Sequence, residues 1–81
     1  MVRPLPEPEK EPPAPSMTPS DAWLIANVPA RAKLIELHKA VAYYNWRGFW
    51  AQKRGQAHVT RYCDKLLERL QREIRSRGEA Q

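Results

Sequence analysis

The chain has 81 residues, a net charge of +5 and a single cysteine. This length allows one small domain, and one cysteine excludes a disulfide within the chain. A basic chain attracts nucleic acid, acidic protein surfaces or anionic membranes, and charge alone does not select among them. Proline and glutamate replace the apolar core of a signal peptide, and no apolar run approaches the ~20 residues that span a bilayer. The sequence therefore predicts a soluble, cytoplasmic protein.

The prolines divide the chain in two, because all eight lie within the first 29 residues. Residues 1–17 mix proline with charge, and proline lacks the backbone N–H that helices and sheets require, so we expect a disordered, extended arm. Pro12 and Pro15 form one PxxP motif, which either binds an SH3-type groove or belongs to a solvating tail. We assign residues 18–78 to a small helical domain and residues 79–81 to a tail.

Local signals mark the first helix at both ends. A capping residue, a proline at the first helical position and an acid three residues after the cap occur at Thr18, Pro19 and Asp21. Pro29 disfavours helix at the residue before it, so the helix is predicted over residues 19–27. Trp23 and Leu24 are expected to anchor this helix to the rest of the domain.

The second helix, predicted over residues 30–53, is apolar around much of its circumference. Its apolar arc covers roughly 200°, about twice the stripe that a one-sided surface helix needs. A central position in a three-helix bundle explains much of this arc, and an intermolecular contact, including a homodimer, explains the remainder. Large aromatic side chains dominate interface hot spots. The predicted interface residues are Tyr43, Trp46, Phe49 and Trp50.

Two polar residues, His38 and Asn45, lie seven positions apart on the same arc. A buried polar group must be hydrogen-bonded. Each is satisfied locally by a backbone carbonyl or water, or the two pair across a symmetric helix–helix interface and fix its register. In the second case His38 would make the assembly sensitive to pH.

The third helix is predicted over residues 56–77, after a short turn at Lys53, Arg54 and Gly55 that makes it antiparallel to the second. Its apolar stripe consists of Val59, Tyr62, Cys63, Leu66, Leu67, Leu70 and Ile74. The predicted fold is all-α: a short capped N-terminal helix plus an antiparallel helical hairpin, in a three-helix arrangement. Gly48, within the apolar arc of the second helix, permits either close helix approach or a kink.

Residues that could carry catalysis or bind a metal are scattered. His38 and His58 belong to different ends of the hairpin, and His58 and Cys63 are five residues apart and face different ways. There is no CxxC pair, no phosphate-cradling glycine loop and no nucleophile motif around the serines and threonines. We therefore expect no enzyme activity, no metal, no cofactor and no small-molecule substrate, and we expect Cys63 to be a buried small hydrophobe.

The favoured interpretation is a small helical interaction module that acts as an adaptor, inhibitor or regulator of a larger protein, by compositional analogy with small basic proteins of phages and mobile elements. The alternative is a nucleic-acid-binding regulator that uses the basic turn and the third helix. Its candidate residues are Arg47, Lys53, Arg54, Arg61, Lys65, Arg69 and Arg72. Acidic residues are interleaved with these cations, which is more typical of a solvated helix. Binding to a membrane surface is disfavoured, because the hairpin accounts for the apolar stripe of the third helix.

Overall fold

A computed structural model describes residues 12–79 of the chain. It contains helix α1 (Pro19–Asn27), a single 3-10 turn (Pro29–Arg31), helix α2 (Leu34–Lys53) and helix α3 (Ala57–Glu79). The described residues contain no strand, so the predicted all-α, three-helix arrangement is confirmed. Of the predicted disordered arm and tail, residues 1–11 and 80–81 lie outside the described residues. Residues 12–18 precede α1 without helix or strand.

Helix α1 has the predicted bounds, and its capping residues explain them. The Thr18 hydroxyl oxygen accepts a hydrogen bond from the backbone N–H of Asp21 at 3.2 Å. Pro19 occupies the first helical position, where a backbone N–H would have no helical partner. At the other end the Asn27 side-chain amide donates to the Trp23 carbonyl at 2.8 Å. Each end thus has one side-chain hydrogen bond from within the segment itself.

Helix α2 begins at Leu34, four residues later than predicted. Pro29 starts a 3-10 turn, and the chain is then extended at Lys33, with φ −74° and ψ 155°. The Glu36 carboxylate accepts a hydrogen bond from the backbone N–H of Lys33 at 2.8 Å. An acid three residues after the cap therefore sets the start, as in a capping box.

The hairpin turn between α2 and α3 depends on Gly55. This glycine has φ 71°, in the left-handed region that residues with a Cβ rarely occupy. The Gln56 backbone N–H donates to the Ala51 carbonyl at 2.8 Å, which closes the end of α2. Helix α3 then runs back along α2 and continues through Gly78 to Glu79, two residues beyond the predicted end.

The core lies where all three helices meet. It consists of Ala22, Ile25 and Ala26 from α1, Leu37, Ala40, Tyr43 and Tyr44 from α2, and Cys63, Leu66 and Leu70 from α3. The small side chains of Ala22 and Ala26 have no exposed surface, so α1 approaches its neighbours closely. The expectation that Trp23 and Leu24 anchor α1 is wrong. The residues of α1 that reach the core are Ala22 and the residues three and four positions later, Ile25 and Ala26, and Trp23 and Leu24 point away from it.

Two arginines of α3 hold α1 and the 3-10 turn in place. Arg77 donates to the carbonyls of Pro29 at 3.0 Å and Ala30 at 3.3 Å, and it pairs with Glu73 at 3.2 Å. Arg69 donates to the Ala26 carbonyl at 3.5 Å, near the end of α1. Carbonyls at helix ends lack helical partners, so these guanidinium groups satisfy them. The end of α1 therefore lies beside the C-terminal half of α3.

Candidate protein-interaction surface

The four aromatic residues that were predicted to form an interface lie together in α2, between residues 43 and 50. We call these residues, Tyr43, Trp46, Phe49 and Trp50, the aromatic surface. Tyr43 is 4% exposed and belongs to the core, whereas the other three are half-buried. The Tyr43 and Trp46 rings have centroids 6.4 Å apart, and the Phe49 and Trp50 rings meet edge to face at 5.5 Å. Rings at these distances attract one another.

Cations border the aromatic surface at its far end. The Lys53 ammonium lies 5.4 Å from the centroid of the Phe49 ring, and the Arg54 guanidinium lies 5.9 Å from that of Trp50. A cation at this distance is attracted to the electron-rich ring face. Three residues predicted for nucleic-acid binding, Arg47, Lys53 and Arg54, therefore contact the residues predicted for protein binding.

Arg47 is held by the core rather than by an acid. Its guanidinium donates to the Tyr43 hydroxyl oxygen at 3.3 Å. This hydrogen bond raises the pKa of Arg47 above its ordinary value. The charge is thus fixed at the edge of the aromatic surface at every physiological pH.

A groove runs beside the aromatic surface. It is lined by Ala14, Tyr43, Trp46, Arg47, Trp50, Ala51 and Arg54. Ala14 belongs to the proline-rich segment before α1, so this segment lies against the side of α2. Rings, cations and a proline-rich segment meet here.

A second apolar area, which the sequence interpretation missed, lies on the outer face of α1. Trp23 is 50% exposed, Leu24 is 55% exposed, and Tyr62 of α3 is 43% exposed. A second groove is lined by Pro19, Ser20, Trp23, Leu24, Tyr44, Arg47 and Tyr62. Arg47 borders both grooves, so the aromatic surface and the α1 surface (Trp23, Leu24 and Tyr62) adjoin each other. The available signal was the run of five apolar residues from Ala22 to Ala26, since α1 packs only one face.

His38 and Asn45 are exposed in the chain, contrary to the expectation that they are buried. The buried face of α2 is centred on Leu37, Ala40 and Tyr44, and both polar residues lie on the opposite side. The bundle was expected to cover much of the apolar arc, and α1 and α3 leave the part that carries these two residues exposed. A role in fixing the register between two copies stays a prediction.

The predicted basic residues of α3 are divided between two roles. Arg61, Lys65, Arg69 and Arg72 are all exposed, and Arg69 also donates a hydrogen bond to the Ala26 carbonyl of α1. Positions 61, 65 and 72 fall on one face of a helix, and Glu68 lies on the same face. The Glu68 carboxylate pairs with Arg72 at 3.4 Å. Acids and bases are thus interleaved on this face, as predicted.

Burial perturbs two further titratable side chains. Tyr44 is 2% exposed, and burial raises its pKa to about 12. Cys63 is fully buried, and burial raises the pKa of its thiol. A buried thiol with a raised pKa is a poor nucleophile. Both groups lie in the core, where they contribute packing.

Neither a metal-ligand cluster nor a membrane-spanning helix occurs between residues 12 and 79. Within this range no three His, Cys, Asp or Glu side chains come together in a way that could hold a metal ion. None of the helices described here combines the length and the apolar character that crossing a bilayer requires.

Comparison with known proteins gives no matching family model, no matching curated protein and no matching solved structure. The aromatic surface and its cations are therefore interpreted from their own chemistry. Rings beside fixed positive charges are suited to contact with another chain, since they offer apolar area and directional hydrogen-bond donors together.

Proposed function

We propose that this protein is a small, non-enzymatic helical module that binds another protein chain through the aromatic surface and thereby acts as an adaptor, inhibitor or regulator. One observation carries the proposal: Trp46, Phe49 and Trp50 remain half-buried on one side of α2 after the chain has formed its core. Tryptophan, tyrosine and arginine are the residues that contribute most at protein interfaces.

The adjoining α1 surface supports the same function. Trp23 and Leu24 leave about half of their surface in water. Adjoining apolar side chains that stay exposed are typical of an interaction site, whereas single exposed apolar residues are normal on protein surfaces. The two surfaces together extend around Arg47, which donates to Tyr43 and so presents a positioned charge.

The chemistry of the surface indicates the kind of partner. Arg47, Lys53 and Arg54 add positive charge around the rings, and none of them forms an ion pair within the described residues. An acidic protein face with apolar side chains at its centre complements this arrangement. A second copy of the chain is the other candidate partner, and it would use the exposed side of α2 that carries His38 and Asn45.

The test compares Trp50→Ala with wild type for self-association by sedimentation equilibrium and for retention of an affinity-captured partner. We expect Trp50→Ala to weaken the complex at least about tenfold, as hot-spot truncations do. Its helical circular dichroism should be unchanged. Leu70→Ala is the matched control, because Leu70 is fully buried and its truncation should lower stability instead. If Trp50→Ala unfolds the chain as Leu70→Ala does, Trp50 belongs to the core and the proposal is wrong.

One observation favours the nucleic-acid alternative: Arg61, Lys65 and Arg72 are exposed on one face of α3. Phosphate contacts make binding weaken steeply with salt. Fluorescence anisotropy of labelled duplex and single-stranded DNA, at two salt concentrations, tests it with the variant R61Q/K65Q/R72Q. This variant leaves Arg69, which supports α1, in place. Tight, salt-sensitive binding that the variant loses would favour this alternative over the protein-interaction module.

A further inference from the structure

The segment before α1 is partly buried although it forms no helix or strand. Pro12 and Pro15 are both half-buried, and Ala14 between them borders the groove of the aromatic surface. Met17, at the end of the segment, packs against the core. A segment without regular structure is covered only where it lies on other parts of the chain. Residues 12–17 therefore follow the side of the helical domain.

The direction of this segment can be determined from its neighbours. Ser16 and Met17 border a depression together with Lys39, whereas Ala14 borders the groove that extends to Trp50 and Arg54. Towards its N-terminus the segment thus advances along α2 in the direction of the hairpin turn. From Met17 to Ala14 the segment covers three residues, which advance about 9 Å in polyproline II. From Lys39 to Trp46 α2 makes two turns, which advance about 11 Å, so the two distances agree. Residues just before Ala14 are therefore within reach of the turn.

The chemistry of the arm complements what it would meet there. Its prolines occur at Pro4, Pro6, Pro8, Pro12, Pro13 and Pro15, and its acids at Glu7, Glu9 and Glu11. Proline-rich segments dock on aromatic-lined grooves because their polyproline II conformation is preformed and loses little entropy on binding. The groove offers the rings of Trp46 and Trp50, with cations at Arg47 and Arg54. Lys53, the residue before Arg54, has its ammonium beside the Phe49 ring.

We propose that the groove bounded by Tyr43, Trp46 and Trp50 binds acidic proline-rich segments, and that its occupant in the free chain is the chain's own arm, residues 4–15. This inference rests on the proposed function for its choice of surface, and it names the ligand chemistry and the first occupant. A tethered segment acts at an effective concentration in the millimolar range. A partner must displace the arm, so its apparent affinity falls in proportion to the fraction of groove that is free.

The test uses the indole N–H signals of the full-length, ¹⁵N-labelled chain as reporters. Trp46 and Trp50 report on the groove, and Trp23 reports on the α1 surface. Two variants perturb the arm: E7Q/E9Q/E11Q removes its acids, and P6G/P8G/P12G replaces three of its prolines by glycine. The variant D64N/E68Q is the matched control, because it removes acids from exposed positions of α3.

We expect both arm variants to shift the Trp46 and Trp50 signals while Trp23 and the control variant stay unchanged. A synthetic peptide with the sequence of residues 3–15 is then titrated into each protein. It should shift the same two signals and bind P6G/P8G/P12G at least about tenfold more tightly than wild type, because the weakened arm no longer competes.

Two results would overturn the inference. Identical Trp46 and Trp50 signals in wild type and both arm variants, with equal affinity for the peptide, would show that the arm does not occupy the groove. A peptide that leaves these signals unmoved in every variant would show that the groove does not bind proline-rich segments. Neither result concerns the effect of Trp50→Ala on association, so the proposed function would fail or stand separately.

Discussion

Replacing Gly48 by alanine tests the packing of α2 against α3. A Cβ at this position would lie 3.5 Å from the Cβ of Cys63, which is an ordinary van der Waals contact. Space is therefore available, and the substitution removes the excess chain entropy of glycine, which costs a helix about 1 kcal/mol relative to alanine. We expect Gly48→Ala to stabilise the fold by about 1 kcal/mol, which raises the Tm of a domain of this size by about 4–8 °C.

The other two glycines provide matched controls in the same thermal-unfolding experiment, followed by circular dichroism. Gly55→Ala has open space around the new Cβ, but φ 71° is unfavourable for alanine, so it should destabilise by about 1 kcal/mol. Gly78→Ala also meets open space, and the last turn of a helix frays, so its gain should be smaller than that of Gly48→Ala. If Gly48→Ala lowers Tm, the new Cβ lies closer than 3.5 Å to the Cβ of Cys63, and the described packing of α2 against α3 is wrong.

Two further predictions concern the buried titratable groups. Tyr44 has a pKa of about 12, against about 10 in the unfolded chain, so its stabilising contribution is complete below pH 10 and is lost as the pH rises towards 12. Urea unfolding at pH 9, 10 and 11 should show this loss at up to about 1.4 kcal/mol per pH unit, and a Tyr44→Phe variant with the same slope would refute the assignment. Cys63 is fully buried with a raised pKa, so a thiol reagent at pH 7 should label the native chain at least about 100-fold more slowly than the urea-unfolded chain. Equal rates would mean that Cys63 is accessible in the folded protein.

Elements with local signals were predictable from the sequence. Thr18 and Asp21 determine the start of α1 through a hydrogen bond between residues three apart, and Gly55 ends α2 through its own backbone conformation. The start of α2 was mispredicted because the residues after Pro29 contain no further helix breaker. The carboxylate of Glu36, which caps Lys33, was the signal that should have been used.

The burial of individual side chains was harder to predict, because it depends on where α1 docks. Trp23 and His38 illustrate the difficulty. Each lies on a helix whose apolar face is wider than the area that the neighbouring helices cover. Periodicity identifies an apolar face, but it does not say how much of that face another helix covers. The grouping of Trp46, Phe49 and Trp50 was predicted, since all three lie on one stretch of α2. Their contacts with Lys53 and Arg54 follow from spacing along the same helix.

The position of α1 has a consequence for local unfolding. Pro19, at the start of α1, lies level with Arg47 and Tyr62, so the hairpin turn between α2 and α3 projects beyond α1. Ala51 is buried there without belonging to the main core cluster. A two-helix end held by few apolar contacts opens at a lower free energy than the whole domain. Backbone amides from Trp50 to Val59 should therefore exchange with solvent faster than those around Leu37 and Leu70. The end of the molecule that carries Trp50 is thus the end that can change shape at the lowest cost to the fold.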